Sequence, residues 1–372
     1  MLLGALGIRL FLWLGKPVPY PASVSIAEAL TRVEVTSDVA GGDGFQLTFS
    51  VKPTMTGEYD LLRQGRLEPW TRAIVGVLLG TTPKVLIDGV ITHHELNPGD
   101  PGGSTTLTVT GCDLTTLLNQ QEKTKKYDNQ PDSIIVTQIL FQYLAYGLVP
   151  TVTPTTDVPL SLQRTPWQRE TDLRCIERLA AQNGYVFYIE PVTFGVNKAY
   201  FGPDVRLSLP QPALTLNMGS ASNTSSLRFT HDAGMPVSAS GRFFVPGTQT
   251  ALPIPELPSL ALPPMALMPT PAKRKTILRD AAKKDLAQAL QAVSAARLGT
   301  RDPVTGTGEL DAARYGNVLR TRRMVGVRGA GRSYDGFYYV TRVTHNIARG
   351  TYTQSFSLCR EGLQSLTPVV PT

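Results

Sequence analysis

Alternation of apolar and polar positions recurs along the chain. Between Ile8 and Leu14, the residues Ile8, Leu10, Leu12 and Leu14 share one face, and Arg9, Phe11 and Trp13 share the other. That is the period of a strand, and Gly15-Lys16-Pro17 then turns the chain. Two further runs, 31–36 and 45–51, are joined by Gly41-Gly42-Asp43-Gly44 as a hairpin connection would join them. A second hairpin is predicted from KVLIDGVITHHE (84–95), the turn LNPGDPGG and STTLTVTG (104–111). In its second arm Leu107 and Val109 oppose Thr106, Thr108 and Thr110, so one side is core and the other polar.

Helical spacing follows. CDLTTLLNQQ puts Leu114, Leu117 and Leu118 on one stripe, and DSIIVTQILFQYLAYG predicts a longer helix with Asp132 or Ser133 as N-cap. Its apolar face is Ile135, Ile139, Leu140, Tyr143 and Leu144, and Gly147 ends it. A third helix starts at Thr171 as cap with Asp172 in its first turn, buries Leu173, Ile176, Leu179 and Ala180, and stops at Asn183-Gly184. Residues 185–189 alternate as the strand after it.

Strands resume over 199–245. Eight prolines then lie between Val245 and Ala272. At that density the chain loses backbone donors and has φ fixed, which predicts an extended arm rather than a helix or a central strand. Leu260, Leu262, Met265, Leu267 and Met268 make that arm apolar, as a segment lying against a partner would be. The Ala-rich stretch 272–299 reads as an exposed helix. The last part is strand and turn again, with a faint internal echo. Asp88-Gly89 leading through Thr92-His93 to Cys112 resembles Asp335-Gly336 leading through Thr344-His345 to Cys359. One antiparallel hairpin used twice implies two similar β-domains around a middle segment.

Bulk properties narrow the class. A chain of 372 residues exceeds one small core. With 42% hydrophobic and 17% charged residues it is globular, and 33 Gly and 29 Pro favour turns and short strands. A net charge of +7 suits polyanions, but it is spread along the chain without the aromatic-interleaved basic motif of a nucleic-acid reader. A mildly positive lumen wall explains it equally well. Cys112, Cys175 and Cys359 have no metal spacing, so buried free thiols in a reducing cytoplasm are expected. The N-terminal apolar run has no preceding Lys or Arg, carries Arg9 inside it and is too short to span a bilayer.

Candidate chemistry is sparse. His93-His94-Glu95 lies on a predicted strand, where adjacent side chains point to opposite faces, and a third metal ligand is missing. His231-Asp232 is far in sequence from any candidate nucleophile, and no G-x-S-x-G, phosphate loop, H-E-x-x-H or kinase set occurs. Gly329-Ala330-Gly331, within 326–333, lacks the following helix and acidic residue of a dinucleotide site and reads as a β-turn. Glu170 and Asp172 could serve as a glycosidase carboxylate pair only if they faced each other across a cleft. The simpler reading places Asp172 in a first helical turn, with Glu170 paired to Arg164, Arg169 or Arg174. The sequence therefore points to no catalytic, cofactor-binding or metal-binding residue.

The order Trp167-Gln168-Arg169-Glu170-Thr171-Asp172-Leu173, Arg178-Leu179-Ala180 and Gly184-Tyr185-Val186-Phe187-Tyr188 resembles the helix-strand signature of the phage late control protein D family. That family comprises baseplate hubs related to the hub part of VgrG-type spike proteins. Tyr334–Val340, Val343-Thr344-His345 and 350–356 resemble the closing hairpin of such hubs. The resemblance implies a β-rich α+β chain with two tube-like antiparallel β-barrel domains and an α/β middle domain, assembled as a trimeric ring. The division expected is a first barrel over 1–118, the middle domain over 119–200 and a second barrel from 201–245 and 310–372. A Pro-rich arm and exposed helix are inserted over 246–309. The implied function is non-enzymatic: a homotrimer adapting a hexameric inner tube above to a separate trimeric spike below, among other baseplate proteins. No cofactor, small-molecule substrate or specific nucleic acid is implied. Such a protein is made in the cytoplasm and joins an assembled particle, with Pro246–Pro271 as the partner-contacting arm. Because the sequence stops at Thr372 without a spike-like extension, a separate spike protein is expected. The alternative is a tail-associated cell-wall glycosidase using Glu170 and Asp172.

Overall fold

The computed structural model describes residues 8–16, 18–53, 58–99, 105–155, 166–244, 251–253, 265–278 and 302–366. The first third follows its alternation. β1 (Ile8–Gly15) buries Ile8, Leu12 and Leu14, and β2 (Tyr20–Pro21) and the one-turn α1 (Val24–Ala29) lead to β3 (Leu30–Asp38) and β4 (Gly44–Val51). After α2 (Asp60–Arg63) come β5 (Arg72–Leu79), β6 (Thr82–Asn97) and β7 (Thr105–Asp113). Both predicted hairpins form, and Leu107 and Val109 are buried while Thr106, Thr108 and Thr110 lie at half-buried positions.

The middle segment holds α3 (Thr115–Leu118), β8 (Glu122–Lys126), α4 (Asp132–Phe141), β9 (Leu148–Val152) and β10 (Trp167–Thr171). It continues with α5 (Asp172–Asn183), β11 (Val186–Thr193) and β12 (Val196–Gly202). α5 forms as its sequence dictates. The Thr171 hydroxyl accepts from the Arg174 N–H at 3.4 Å, and Gly184 closes the helix at φ 64°. Cys175, Ile176, Leu179 and Ala180 are buried, with Leu173 only partly so. α4 differs from expectation. Its N-cap is Pro131, because the Asp132 carboxylate instead accepts from Asn183 Nδ2 at 2.7 Å. It ends at Phe141, and Leu144 is exposed.

The last third holds β13 (Gln211–Thr215), β14 (Thr224–His231), β15 (Val237–Phe244), β16 (Ala251–Pro253), β17 (Ala266–Pro269) and β18 (Arg274–Leu278). β19 (Val304–Asp311), α6 (Ala312–Tyr315), β20 (Met324–Arg328), β21 (Gly336–Ala348), β22 (Thr351–Arg360) and β23 (Gly362–Ser365) complete it. The proline-rich segment, expected to hold neither helix nor central strand, contributes only short outer strands among the described residues. β15 pairs β16 and β18, and β17 pairs β23. Proline is tolerated because Pro253 and Pro269 stand at strand ends. The exposed helix expected over 272–299 is a strand in its first part, Arg274–Leu278, and 279–299 lie outside the described residues.

A large, mainly antiparallel sheet dominates, in the order β14-β19-β22-β21-β3-β4-β7-β6-β5-β1-β2, with β20 paired to both β21 and β13. Within it the pairing repeats. β3-β4-β7-β6-β5 and β14-β19-β22-β21-β20 are neighbours in the same succession and the same chain order. Their irregularities match as well. The bulge at Thr31 in β3 returns at Ser225 in β14, and the bulge at Thr92 in β6 returns at Thr341 in β21. Thr92 and Thr341 both donate their hydroxyls across the hairpin, to Thr110 O at 3.4 Å and Ser357 O at 3.1 Å. Two residues before β5 and β20, Trp70 (φ 67°) and Arg322 (φ 59°) share the left-handed conformation. Their N–H groups donate to Ile91 O at 2.7 Å and Val340 O at 2.9 Å. Asp38 and Asp232 each accept from the N–H two residues on. Bulges and left-handed non-glycine residues are particular enough that this coincidence marks a structural repeat.

The sequence echo therefore located the right hairpins, with one arm out of register. Cys112 and Cys359 are equivalent, pairing with Val90 and Tyr339. The bulges, however, set Asp88-Gly89 level with Phe337-Tyr338 and His93 level with Arg342, rather than with the Asp-Gly and His that look alike. The two repeats are joined by Arg342–Ala348 of β21 pairing antiparallel with Arg32–Asp38 of β3. The core of the first repeat extends over this joint and takes in Ala312, Val318, Ile347 and Tyr352 of the second.

Candidate assembly interface

The two carboxylates of the candidate pair are held by other side chains. Asp172, almost fully buried, accepts from Tyr143 Oη and Gln168 Nε2, each at 2.7 Å, and from Lys123 Nζ. Burial, then the hydrogen bond to this carboxylate, pushes the Tyr143 phenol up. Glu170 lies on β10 and accepts from Arg178 Nε at 2.8 Å, beside a shallow hollow lined by Trp167, Arg169 and Arg178. Its partner is thus Arg178 rather than Arg169 or Arg174, and Arg164 lies outside the described residues. One carboxylate is sealed under three donors and the other is held at the surface, so the structure does not present the pair across a cleft.

His93, His94 and Glu95 are exposed on successive, opposite-facing positions of β6. His231 Nε2 lies 3.0 Å from Thr270 Oγ1 of the arm, and Asp232 caps the turn after β14. Gly329-Ala330-Gly331 is a turn: Gly329 has φ 84°, and a Cβ there would meet Leu216 O at 2.0 Å. Strand β21, not a helix, follows it. All three cysteines are free, but Cys112 is exposed rather than buried. Among the described residues, no group of three or more His, Cys, Asp or Glu is placed to hold a metal, and no helix is long and apolar enough to cross a membrane.

Two polar clusters went unread in the sequence because their members are distant in the chain. Asp88 accepts from Arg72 Nε at 2.8 Å, Arg72 Nη2 at 2.6 Å and Asn197 Nδ2 at 2.8 Å, all buried. This fastens β12 of the middle segment to the first repeat. The second cluster lies where three parts meet. Arg322 stands 3.8 Å from Asp43 and donates to Asp38 O at 3.2 Å, with its guanidinium over the Tyr188 ring. Next to it, Arg323 and Lys198 both pair with Glu190. Burial raises the Glu190 carboxyl, and these two cations more than offset it, so the net shift is downward. A double-charged seam of this kind resists relative sliding of the parts it joins.

The remaining feature is a pair of strand edges. β5 and β7 flank β6 on opposite sides, and β5 covers only Thr82–Val90. Beyond the bulge, the β5-side edge of 93–97 has no strand partner among the described residues. β14 ends the sheet at its other side, with its outer edge likewise unpaired among the described residues. Open edges of this length are templates for another strand.

Sequence comparison finds no matching family model and no matching curated protein. Comparison with solved structures succeeds. The fold is that of phage tail proteins. A tail protein from Neisseria meningitidis MC58 aligns with a TM-score of 0.64 at 14% identity, over 96% of this chain and 98% of its own. The 43 kDa tail protein of prophage MuSo2 from Shewanella oneidensis gives 0.63 at 14%, over 95% and 98%. The E. coli c3393 protein, a component of the type VI secretion system with structural similarity to T4 tail proteins gp27 and gp5, gives 0.53 at 14%, over 92% and 77%. At such identities the fold is what is shared.

Proposed function

We propose that this chain is a structural, non-enzymatic baseplate hub of a contractile tail or related injection system. As a homotrimer it adapts a hexameric inner tube to a separate trimeric spike, alongside other baseplate proteins. The observation that carries this reading is the structural repeat. One chain presents the same five-strand unit twice, so three chains present six similar units upward and three chain-specific features downward. That is the arithmetic a sixfold-to-threefold adaptor needs. The tail-protein fold and the resemblance to late control protein D agree with it. In this reading the repeats are the two tube-like barrels, and the middle α/β segment, held by Asp88 and the Arg322 seam, transfers load between them.

Light scattering on the purified full chain tests the reading, with co-purification against tube and spike proteins of the same particle. The expected result is a particle of three times the 40.3 kDa chain mass that binds both. A stable monomer that joins neither overturns the hub assignment.

A further inference from the structure

The joint between the repeats defines how one chain meets the next. Inside the chain, β21 continues past its bulge at Thr341 and pairs Arg342–Ala348 with Arg32–Asp38 of β3. The equivalent of that β21 edge is β6 beyond its bulge at Thr92, and the equivalent of β3 is β14. Both edges are exposed and unpaired among the described residues, and within one chain they do not pair with each other. We propose that β6 of one copy pairs antiparallel with β14 of a second copy, in the register copied from the internal joint. This rests on the hub reading above and specifies its chain-to-chain contact.

The register is explicit. Arg342 opposite Asp38 becomes His93 opposite Asp232, and His345 opposite Val35 becomes Leu96 opposite Phe229. Between them fall His94 with His231 and Glu95 with Thr230. Asn97 with Arg228 is the last pair, because Pro98 has no N–H to continue the ladder. The chemistry carries over. Arg342 Nε lies 3.8 Å from Asp38 Oδ2, and the His93 imidazole is set opposite the Asp232 carboxylate in the same manner. Leu96 and Phe229, half-buried in the single chain, gain an apolar cross-strand partner. Such contacts are head-to-tail, so they close into a ring when the rotation allows. Using one joint both within and between chains makes all steps around that ring alike.

Disulfide trapping tests the register in a Cys112→Ser background. Glu95→Cys with Thr230→Cys, and separately His94→Cys with His231→Cys, place thiols at adjacent cross-strand pairs. Alternate antiparallel pairs approach to about 4.5 Å between Cα atoms, close enough to oxidise. One of the two variants is expected to convert most of the chain into reducible two- and three-chain species. Glu95→Cys with Thr224→Cys, six positions out of register, is expected to give none. Co-assembled single variants, Glu95→Cys chains with Thr230→Cys chains, should give only a two-chain product, which excludes pairing within one chain. Three-chain particles in which neither in-register pair oxidises, or the out-of-register pair oxidises as well, overturn the pairing and leave the hub reading standing. A chain monomeric at every concentration overturns both. Covalent ladders beyond three chains uphold the pairing and overturn the three-chain ring.

Discussion

Asp113 offers a sharp test of the polar interior. It ends β7 at a buried position and accepts from the Thr115 N–H at 3.2 Å and from the Thr115 hydroxyl. Burial lifts its carboxyl from 3.8 to about 7; Thr115 draws it back, and the neighbouring Asp43 adds to the rise. Asp43 is itself raised, by burial first, with Arg322 opposing. A carboxyl raised on folding contributes stability that is fully present below the unfolded value, near pH 4, and is lost as pH climbs through about 7. The ceiling on that loss is about 4 kcal/mol, from about 1.4 kcal/mol for each tenfold change in proton affinity. Because Asp43 shares the titration, about 2 kcal/mol is the expected size. Asp113→Asn keeps an acceptor for Thr115 and removes the charge, while its new amide donor costs about 1 kcal/mol at all pH values. Urea unfolding at pH 5 and pH 8.5 separates the two effects. The variant should fall slightly below the parent at pH 5 and gain about 1 kcal/mol relative to it between pH 5 and pH 8.5. Parallel stability curves for the two proteins across that range would refute the reasoning.

Three further outcomes follow from other sites. Arg72→Met leaves the buried Asp88 with Asn197 alone and should cost about 3–5 kcal/mol in urea unfolding, partly recovered in Arg72→Met with Asp88→Asn. Burial, then Arg320, pushes the His345 imidazole down to about 3, so the folded chain keeps it neutral while the unfolded chain takes up a proton below about 6.5. Its contribution is therefore present above pH 6.5 and lost as pH falls toward 3, and His345→Gln should flatten that acid limb in thermal melts. Parent and Glu170→Gln should both leave peptidoglycan intact; hydrolysis by the parent that the variant lacks would revive the glycosidase reading.

Elements whose instructions are local were legible in the sequence. α5 was readable because Thr171, the stripe through Leu179 and Gly184 act within one segment, and the two hairpins because turn and alternation are contiguous. What escaped depends on distant partners. β17 exists because β23, almost a hundred residues on, supplies its ladder, and the Glu361 carboxylate holds the Met265 and Ala266 N–H groups. β10 was hidden inside a charged run that reads as the prelude to a helix, and it forms by pairing with β8. The repeat was half legible. Side chains match at Cys112 and Cys359, but the bulges and left-handed residues that align the rest are backbone features, held by Trp70 in one copy and Arg322 in the other. Two residues so unlike give a sequence reader nothing to match.

The same alignment locates the proline-rich insertion. β3 and β4 are joined by the short turn containing Gly41-Gly42-Asp43, whereas their equivalents β14 and β19 are separated by everything from Asp232 to Pro303. The insertion therefore occupies a hairpin tip, where added chain disturbs the ladder least. Both tips begin alike, with Asp38 and Asp232 closing the same turn, and only afterwards diverge. β17 then returns to the body of the second repeat against β23, so the described end of the arm is fixed to that repeat. In a ring of three chains the arm would mark every second unit. On the proposed hub reading, the strands would then carry the sixfold likeness and one loop of a duplicated sheet the threefold difference.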